Sequence, residues 1–208
     1  MHYDAIVIGI SSGGMTALKF IFSALPAGFS IPIIVVQHIT AQSDNDWVNL
    51  VNDKSNVTIK EADEKEKIAC GNAYIAPANY HLLVEKDKTF SITIDERVNF
   101  ARPSIDVLFE SAPEAYKEKL VGIVLTGANN DGAKGIKRVK ECGGLAIIQD
   151  PKTAESATMP TSAIAALLCG KLAIQPDYIL PLEKIIELLI EFGKNQCRSL
   201  SGQLIKYK

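Results

Sequence analysis

Short continuous hydrophobic runs alternate with helical patterns along most of the chain. Near the N-terminus, apolar runs at residues 4–8 and 33–37 are each followed by a segment with helical spacing, at residues 16–24 and 46–51. This alternation is typical of β-α-β units, in which consecutive parallel strands are joined by a helix. The pattern therefore predicts a parallel sheet.

A second set of alternating elements lies in the C-terminal half. Strands are predicted at residues 121–126 and 145–149, and helices at residues 132–142 and 160–168. The strand runs are apolar at successive positions, as expected for strands buried on both faces. We predict an α/β fold with a doubly wound, mostly parallel sheet and helices on both of its faces.

The middle and the end of the chain supply the remaining predicted elements. Residues 81–85 and 90–94 flank the polar Lys86-Asp87-Lys88-Thr89 and predict an added β-hairpin. A helix is predicted at residues 104–116, with Ser104 as its N-cap and Asp106 in its first turn. The last predicted helix, residues 182–192, ends at Gly193. We therefore expect one domain over residues 1–193 and a polar tail over residues 194–208.

Composition narrows the range of possible functions. The chain has 208 residues, 47% of them hydrophobic, which is enough for one substantial core. A formal net charge of -2 offers no general attraction for nucleic acid, and no apolar run reaches the roughly 18 residues that span a bilayer. The four cysteines form no C-x-x-C pair, and only three histidines are present. We expect a cytoplasmic protein without membrane insertion, metal or nucleic-acid partner.

The first predicted strand leads into a small-residue turn with a serine at its centre. Residues 9–13 read Gly-Ile-Ser-Ser-Gly, which fits the G-x-S-x-G pattern of a nucleophile held between a strand and a helix. Phosphate-binding loops also occupy this place in parallel sheets, but G-x-G-x-x-G and the P-loop lysine are both missing. Ser11 is thus a candidate nucleophile, with anion binding and a plain turn as alternatives.

A serine nucleophile requires a base and a group that orients the base. His38 ends the apolar run at residues 33–37, so its imidazole comes close to Ser11 if the two strands are neighbours. Asp131 follows another predicted strand and is the best candidate acid. Taken separately, His38 could merely finish a strand and Asp131 could cap the helix that begins at Gly132.

The order serine, histidine, aspartate along the chain excludes an ordinary lipase-type hydrolase, in which the acid precedes the histidine. The residues instead resemble the catalytic domain of the chemotaxis receptor protein-glutamate methylesterases, the CheB family, over nearly the whole chain to about residue 190. The matching motifs are Ile8-Gly9-Ile10-Ser11-Ser12-Gly13-Gly14, Gln37-His38, Ala73-Tyr74-Ile75-Ala76-Pro77, Arg102-Pro103-Ser104-Ile105-Asp106-Val107-Leu108-Phe109, Leu125-Thr126-Gly127 and Asn130-Asp131-Gly132-Ala133.

The resemblance implies that Ser11, His38 and Asp131 form a catalytic triad that needs no cofactor. It implies that the backbone N–H groups near Ser12 and Ala128 are the oxyanion donors. The implied reaction is hydrolysis of γ-glutamyl methyl esters on the acidic cytoplasmic helices of methylated chemotaxis receptors, with glutamine deamidation in some members. Arg102 could bind the acidic substrate segment or pair with a nearby carboxylate.

The sequence departs from the family pattern at three places. Ala101 stands where a histidine is common before Arg-Pro-Ser, and Ala128 stands where methionine is common. The sequence also begins at the catalytic domain, so we expect a stand-alone enzyme that is active without phosphorylation of a receiver domain in the same chain. Alternative functions are a related ester or amide hydrolase with another substrate, and a non-catalytic receptor-docking module of the same fold.

Overall fold

The computed structural model of the chain describes residues 2–38, 48, 51–52, 55–170 and 173–204, with side chains up to residue 194. The helix predicted at residues 46–51 lies largely outside the described residues. Within the described ranges, no helix is both long enough and apolar enough to cross a membrane.

A seven-stranded sheet, parallel at every strand pair, forms the centre of the molecule. Its strands lie in the order β3-β4-β2-β1-β7-β8-β9. β1 therefore has β2 on one side and β7 on the other, and the strand order reverses at β1. In open parallel sheets this reversal opens a crevice at the carboxyl ends of the strands. The bounds are β1 Ala5–Ile10, β2 Ile33–Gln37, β3 Thr58–Glu61, β4 Asn72–Ile75, β7 Leu120–Val124, β8 Leu145–Gln149 and β9 Tyr178–Leu180.

Helices cover both faces of the sheet, as predicted. Alternate residues of β1 point to opposite faces, so that Ile6 and Ile8 belong to one buried cluster and Ala5 and Val7 to another. The first cluster packs against α1 and α5, and the second packs against α2, α3 and α4. The bounds of these helices are α1 Gly14–Ala24, α2 Ile105–Tyr116, α3 Ala133–Glu141, α4 Thr158–Leu168 and α5 Leu182–Leu204.

The predicted hairpin is confirmed as a separate antiparallel pair. It consists of β5 (His81–Val84) and β6 (Phe90–Thr93), which pair in antiparallel register. Leu82, Val84 and Phe90 belong to the same buried cluster as α2. The hairpin therefore packs over the sheet face that also carries α2.

One predicted helix cap and one predicted helix end differ in the structure. Ser104 occupies the N-cap position of α2, but its side chain makes no capping hydrogen bond, because the Asp131 carboxylate accepts from the first N–H groups of this helix instead. The last helix does not end at Gly193 but continues to Leu204. A side chain at position 193 would come within 2.7 Å of the Phe29 ring, so this glycine permits close packing rather than a C-cap. The boundary between a domain and a tail at residue 193 stays a prediction.

Candidate active site

Three strand ends meet where the strand order reverses. Ser11 follows β1, His38 follows β2, and Asp131 lies in the loop after β7. The backbone N–H of Ser11 donates to the Thr126 carbonyl at 3.0 Å, and that of His38 donates to the Ile10 carbonyl at 3.1 Å. The sheet pairing thus continues for one residue past the strands and fixes the backbone positions of Ser11 and His38.

The turn at Ser11 requires residues without side chains. Gly13 has a φ of 79°, in the left-handed region that favours glycine, and α1 begins at the next residue. Gly127, in the loop after β7, lies so close to Ser11 that an added Cβ would be 3.0 Å from the Ser11 Cβ. These glycines let the turn after β1 and the loop after β7 approach each other at Ser11.

His38 and Asp131 are in direct contact. The distance between His38 Nε2 and Asp131 Oδ2 is 2.8 Å. The His38 side chain is 13% exposed and the Asp131 side chain is fully buried. The carboxylate can therefore orient the imidazole and stabilise its protonated form, while one edge of the ring stays open to solvent.

Asp131 lies two residues before α3 and also binds the N-terminus of α2. Its carboxylate accepts hydrogen bonds from the first two N–H groups of α2, those of Ile105 at 2.6 Å and Asp106 at 3.1 Å, and from the Ser104 hydroxyl at 2.9 Å. Burial raises the pKa of Asp131, but the hydrogen bonds from His38, Asn99 and the Ile105 N–H outweigh burial and bring the pKa below its ordinary value. The group is therefore an anion at neutral pH.

A second buried carboxylate lies directly behind the first. Asp106 is 2% exposed and accepts from the Gly135 N–H at 2.8 Å. The side-chain amide of Asn99 donates to both Asp106, at 2.9 Å, and Asp131, at 3.0 Å. Burial raises the pKa of Asp106 to about 6, and the charge of Asp131 adds to this effect. The Asn99 amide thus bridges two carboxylates and offsets part of the repulsion between them.

The other imidazole nitrogen of His38 faces an amide. Asn129 Nδ2 is 3.3 Å from His38 Nδ1. Since Nε2 is paired with Asp131, Nδ1 is the nitrogen that remains for a proton from Ser11. Within the described residues, no hydrogen bond joins Ser11 Oγ to either nitrogen, so the predicted contact between nucleophile and base is absent from this resting arrangement. Such contacts commonly tighten only when substrate binds.

One open cleft brings these groups together. Ser11, His38 and Asn129 line a cleft of about 370 Å³, whose rim carries Phe100 and Arg102. Phe100 is 96% exposed at the tip of a tight turn. The cleft is shallow and accessible, which suits a substrate that is itself attached to a larger surface.

The N–H groups predicted to bind an oxyanion belong to Ser12, which follows Ser11, and to Ala128, which follows Gly127 in the loop after β7. Ser12 and Ala128 are exposed, and the backbone N–H of neither residue donates a hydrogen bond within the described part of the chain. These two N–H groups therefore remain candidate donors to an oxyanion.

Arg102 is held by uncharged groups rather than by a carboxylate. It donates to the Asn79 side chain and to the backbone carbonyls of Ile94 and Asp95. The ion pair considered from the sequence is not among the contacts of the described residues. The guanidinium lines the cleft with its charge unneutralised by a salt bridge.

Sequence reasoning missed several polar side chains that build the site. The buried amide of Gln37 donates to the backbone carbonyls of Ser11, at 3.1 Å, and His38, at 3.0 Å. The Thr126 hydroxyl donates to the Ser12 carbonyl at 2.8 Å. Gln37 and Thr126 both lie in motifs that match the family, and this was the signal that could have identified them. Nothing in the sequence pattern pointed to the partners of Asn99 or Asn129.

Comparisons with known proteins identify one family over most of the chain. The family model for CheB methylesterase matches residues 6–189. A Leptospira interrogans protein, named provisionally as a protein-glutamate methylesterase/protein-glutamine glutaminase, is 58% identical over 195 residues, which cover 94% of this chain and 97% of the relative. A Thermotoga maritima protein with the same name, given without reservation, is 36% identical over 89% of this chain, which spans about half, 53%, of that longer relative.

A solved structure extends the similarity to the fold. The crystal structure of the Thermotoga maritima CheB methylesterase catalytic domain superposes with a TM-score of 0.83 at 36% identity, over 92% of this chain and 99% of that one. The family match over residues 6–189 includes Ser11, His38 and Asp131. The chain therefore belongs to the CheB methylesterase family.

Proposed function

We propose that the chain is a protein-glutamate methylesterase in which Ser11 is the nucleophile, His38 the base and Asp131 the acid that orients the base. The observation that carries this proposal is the 2.8 Å contact between His38 and the buried, ionised Asp131. His38 lines the same cleft as Ser11. A cytoplasmic location follows from the family and is part of the proposal.

The reaction proceeds by acyl transfer. The Ser11 hydroxyl oxygen bonds to the ester carbonyl carbon while its proton moves to His38 Nδ1, and the carbonyl oxygen becomes an oxyanion held by the N–H groups of Ser12 and Ala128. The tetrahedral intermediate then expels methoxide, which takes the proton from His38 and leaves as methanol. Water repeats the sequence on the acyl-enzyme and releases the glutamate side chain. An amide substrate would follow the same steps with ammonia as the leaving group, which fits the glutaminase activity in the names of the relatives.

The proposed substrate is a glutamyl ester presented on an acidic receptor helix. The shallow cleft lies open beside the fully exposed Phe100, so a side chain on the surface of a helix can reach Ser11. Arg97 and Arg102 line the same cleft and can attract neighbouring carboxylates of such a helix. This combination favours a protein substrate over a small buried ligand.

Methanol release from methylated chemotaxis receptor tests the proposal. Wild-type protein should release methanol, and Ser11→Ala should reduce the rate by on the order of 10⁴ or more, as for members of a cooperative catalytic unit. Ser23→Ala, an exposed serine on α1, is the matched control and should retain full activity. Release by Ser11→Ala at the wild-type rate would refute Ser11 as nucleophile. Hydrolysis of small esters without any release from receptor would point instead to a hydrolase with another substrate.

A further inference from the structure

The side chain of Asn129 contacts the imidazole nitrogen that the proposed reaction uses. Its Nδ2 atom lies 3.3 Å from His38 Nδ1, while Asp131 occupies the opposite nitrogen. Asn129 is half-buried and lines the cleft with Ser11 and His38. It is thus the side chain in the described cleft that competes with the Ser11 hydroxyl for the lone pair of Nδ1.

The orientation of the Asn129 amide is fixed by a neighbouring contact. The backbone N–H of Asp131 donates to Asn129 Oδ1 at 3.1 Å. Since an N–H group can only donate here, the oxygen of the amide must face the backbone and the NH₂ group must face His38. The amide is therefore a hydrogen-bond donor toward Nδ1.

A donor on one side and a carboxylate on the other select one tautomer of His38. Asp131 requires a proton on Nε2, and the Asn129 amide requires a lone pair on Nδ1. A proton on Nδ1 would point at the amide NH₂ group, so this contact requires an unprotonated Nδ1. The other charged groups that face His38 within the described residues are Arg97 and Arg102 across the cleft, with Asp106 behind Asp131.

We propose that Asn129 is a positioning residue, which holds His38 with an unprotonated Nδ1 facing the cleft until the Ser11 hydroxyl replaces the amide as donor to this nitrogen. The proposal rests on the proposed function, because it gives the contact a role in proton transfer from Ser11. The amide acts through His38 and exchanges no atom with substrate. When Ser11 gives its proton to Nδ1, the amide contact is lost, and it re-forms when the proton leaves with methanol.

The pH dependence of methanol release distinguishes this role from simple packing. In Asn129→Ala, loss of a hydrogen bond to the neutral ring should move the acid limb of the kcat/KM profile to higher pH by about half a unit to one unit. Asn129→Asp, which has the same shape but presents an acceptor, should move it further in the same direction. The neighbouring and exposed Asn130→Ala should leave the limb in place. Profiles of both Asn129 variants that superimpose on the wild-type profile would overturn the proposal.

Nitrogen NMR of the histidine rings requires no turnover, so it tests the role of Asn129 independently of the proposed function. With ¹⁵N-labelled histidine, the chemical shifts of the ring nitrogens report which one carries the proton, and the chain has only three histidines. At high pH the wild-type His38 should carry its proton on Nε2, and its titration should shift to higher pH in Asn129→Ala even in a Ser11→Ala background. A proton on Nδ1 in the wild type, or an unshifted titration in both Asn129 variants, would refute the role of Asn129. If the shift occurs but the wild type releases no methanol, the proposed function fails and the contact stands.

Discussion

Replacing Asp131 with asparagine should damage both catalysis and folding, because one carboxylate serves both. Its Oδ1 accepts from Asn99, the Ser104 hydroxyl and the Asp106 N–H, and its Oδ2 accepts from His38 and the Ile105 N–H. The asparagine NH₂ group would take the less crowded Oδ2 position. There, His38 could pair with it only by moving its own proton to Nδ1, and the Ile105 N–H would lose its acceptor.

The sizes of these effects follow from the contacts. A buried N–H left without an acceptor costs about 1 to 3 kcal/mol, and loss of the charge weakens the remaining bonds, so the free energy of unfolding should fall by about 3 kcal/mol. A proton on Nδ1 removes the lone pair that accepts from Ser11. The turnover of folded protein should therefore fall by on the order of 10³ to 10⁴.

Urea denaturation and methanol release together check this prediction. Ser104→Ala is the matched control, since it removes one donor to Oδ1 and leaves the contact with His38. It should lower the free energy of unfolding by only about 1 kcal/mol and the rate by less than about tenfold. An Asp131→Asn protein that is no less stable than Ser104→Ala would show that the carboxylate is not needed for stability. A folded Asp131→Asn protein that turns over within tenfold of wild type would show that it is not needed for catalysis.

Three further substitutions test other contacts of the site. Because burial raises the pKa of Asp106 to about 6, above its ordinary value near 3.9, its contribution to stability is present below about pH 4 and lost as pH rises through about 6. Urea titrations should show that the free energy of unfolding of wild type, relative to that of Asp106→Asn, falls by up to about 3 kcal/mol between pH 4 and 7. A difference that stays constant with pH would contradict this prediction. Gln37→Leu removes the hydrogen bonds to the backbone carbonyls of Ser11 and His38, and it should lower kcat/KM by at least about tenfold while the circular dichroism spectrum stays unchanged. An unaltered rate would rule out a role for Gln37 in positioning these two residues. Gly127→Ala, whose Cβ would overlap Met159 Sδ, should cost about 1 to 3 kcal/mol in thermal unfolding. Because Met159→Ala removes the overlapping atom, the double variant should lose less stability than the sum of the two single variants, and strictly additive losses would contradict the overlap.

The sequence was sufficient to predict the sheet and the three strand ends that form the site. Continuous apolar runs identified β1, β2 and β7, and the rule that parallel strands open a crevice at their carboxyl ends brought Ser11, His38 and Asp131 together. The edge strands were harder to predict. β9 has only three residues, and Tyr178 and Ile179 within it are exposed, so it lacks the apolar run by which a buried strand is found.

The polar contacts could not be predicted because their partners are distant in sequence. Asp131 caps α2 from 26 residues away, so Ser104 appeared to be the cap when only local spacing was considered. Gly193 appeared to end α5, but its role depends on Phe29, a residue from the other end of the chain. Local spacing predicts local structure, whereas hydrogen bonds between loops depend on tertiary packing.

Covalent labelling of the serine measures whether His38 activates Ser11. A fluorophosphonate reacts with an activated serine and forms a stable adduct that peptide mass spectrometry assigns to one residue. In wild-type protein the adduct should form on Ser11 and not on the adjacent Ser12, and His38→Ala should slow its formation by at least about a hundredfold. An adduct on another residue, or labelling of Ser11 at an equal rate without His38, would show that His38 does not activate Ser11 as a nucleophile.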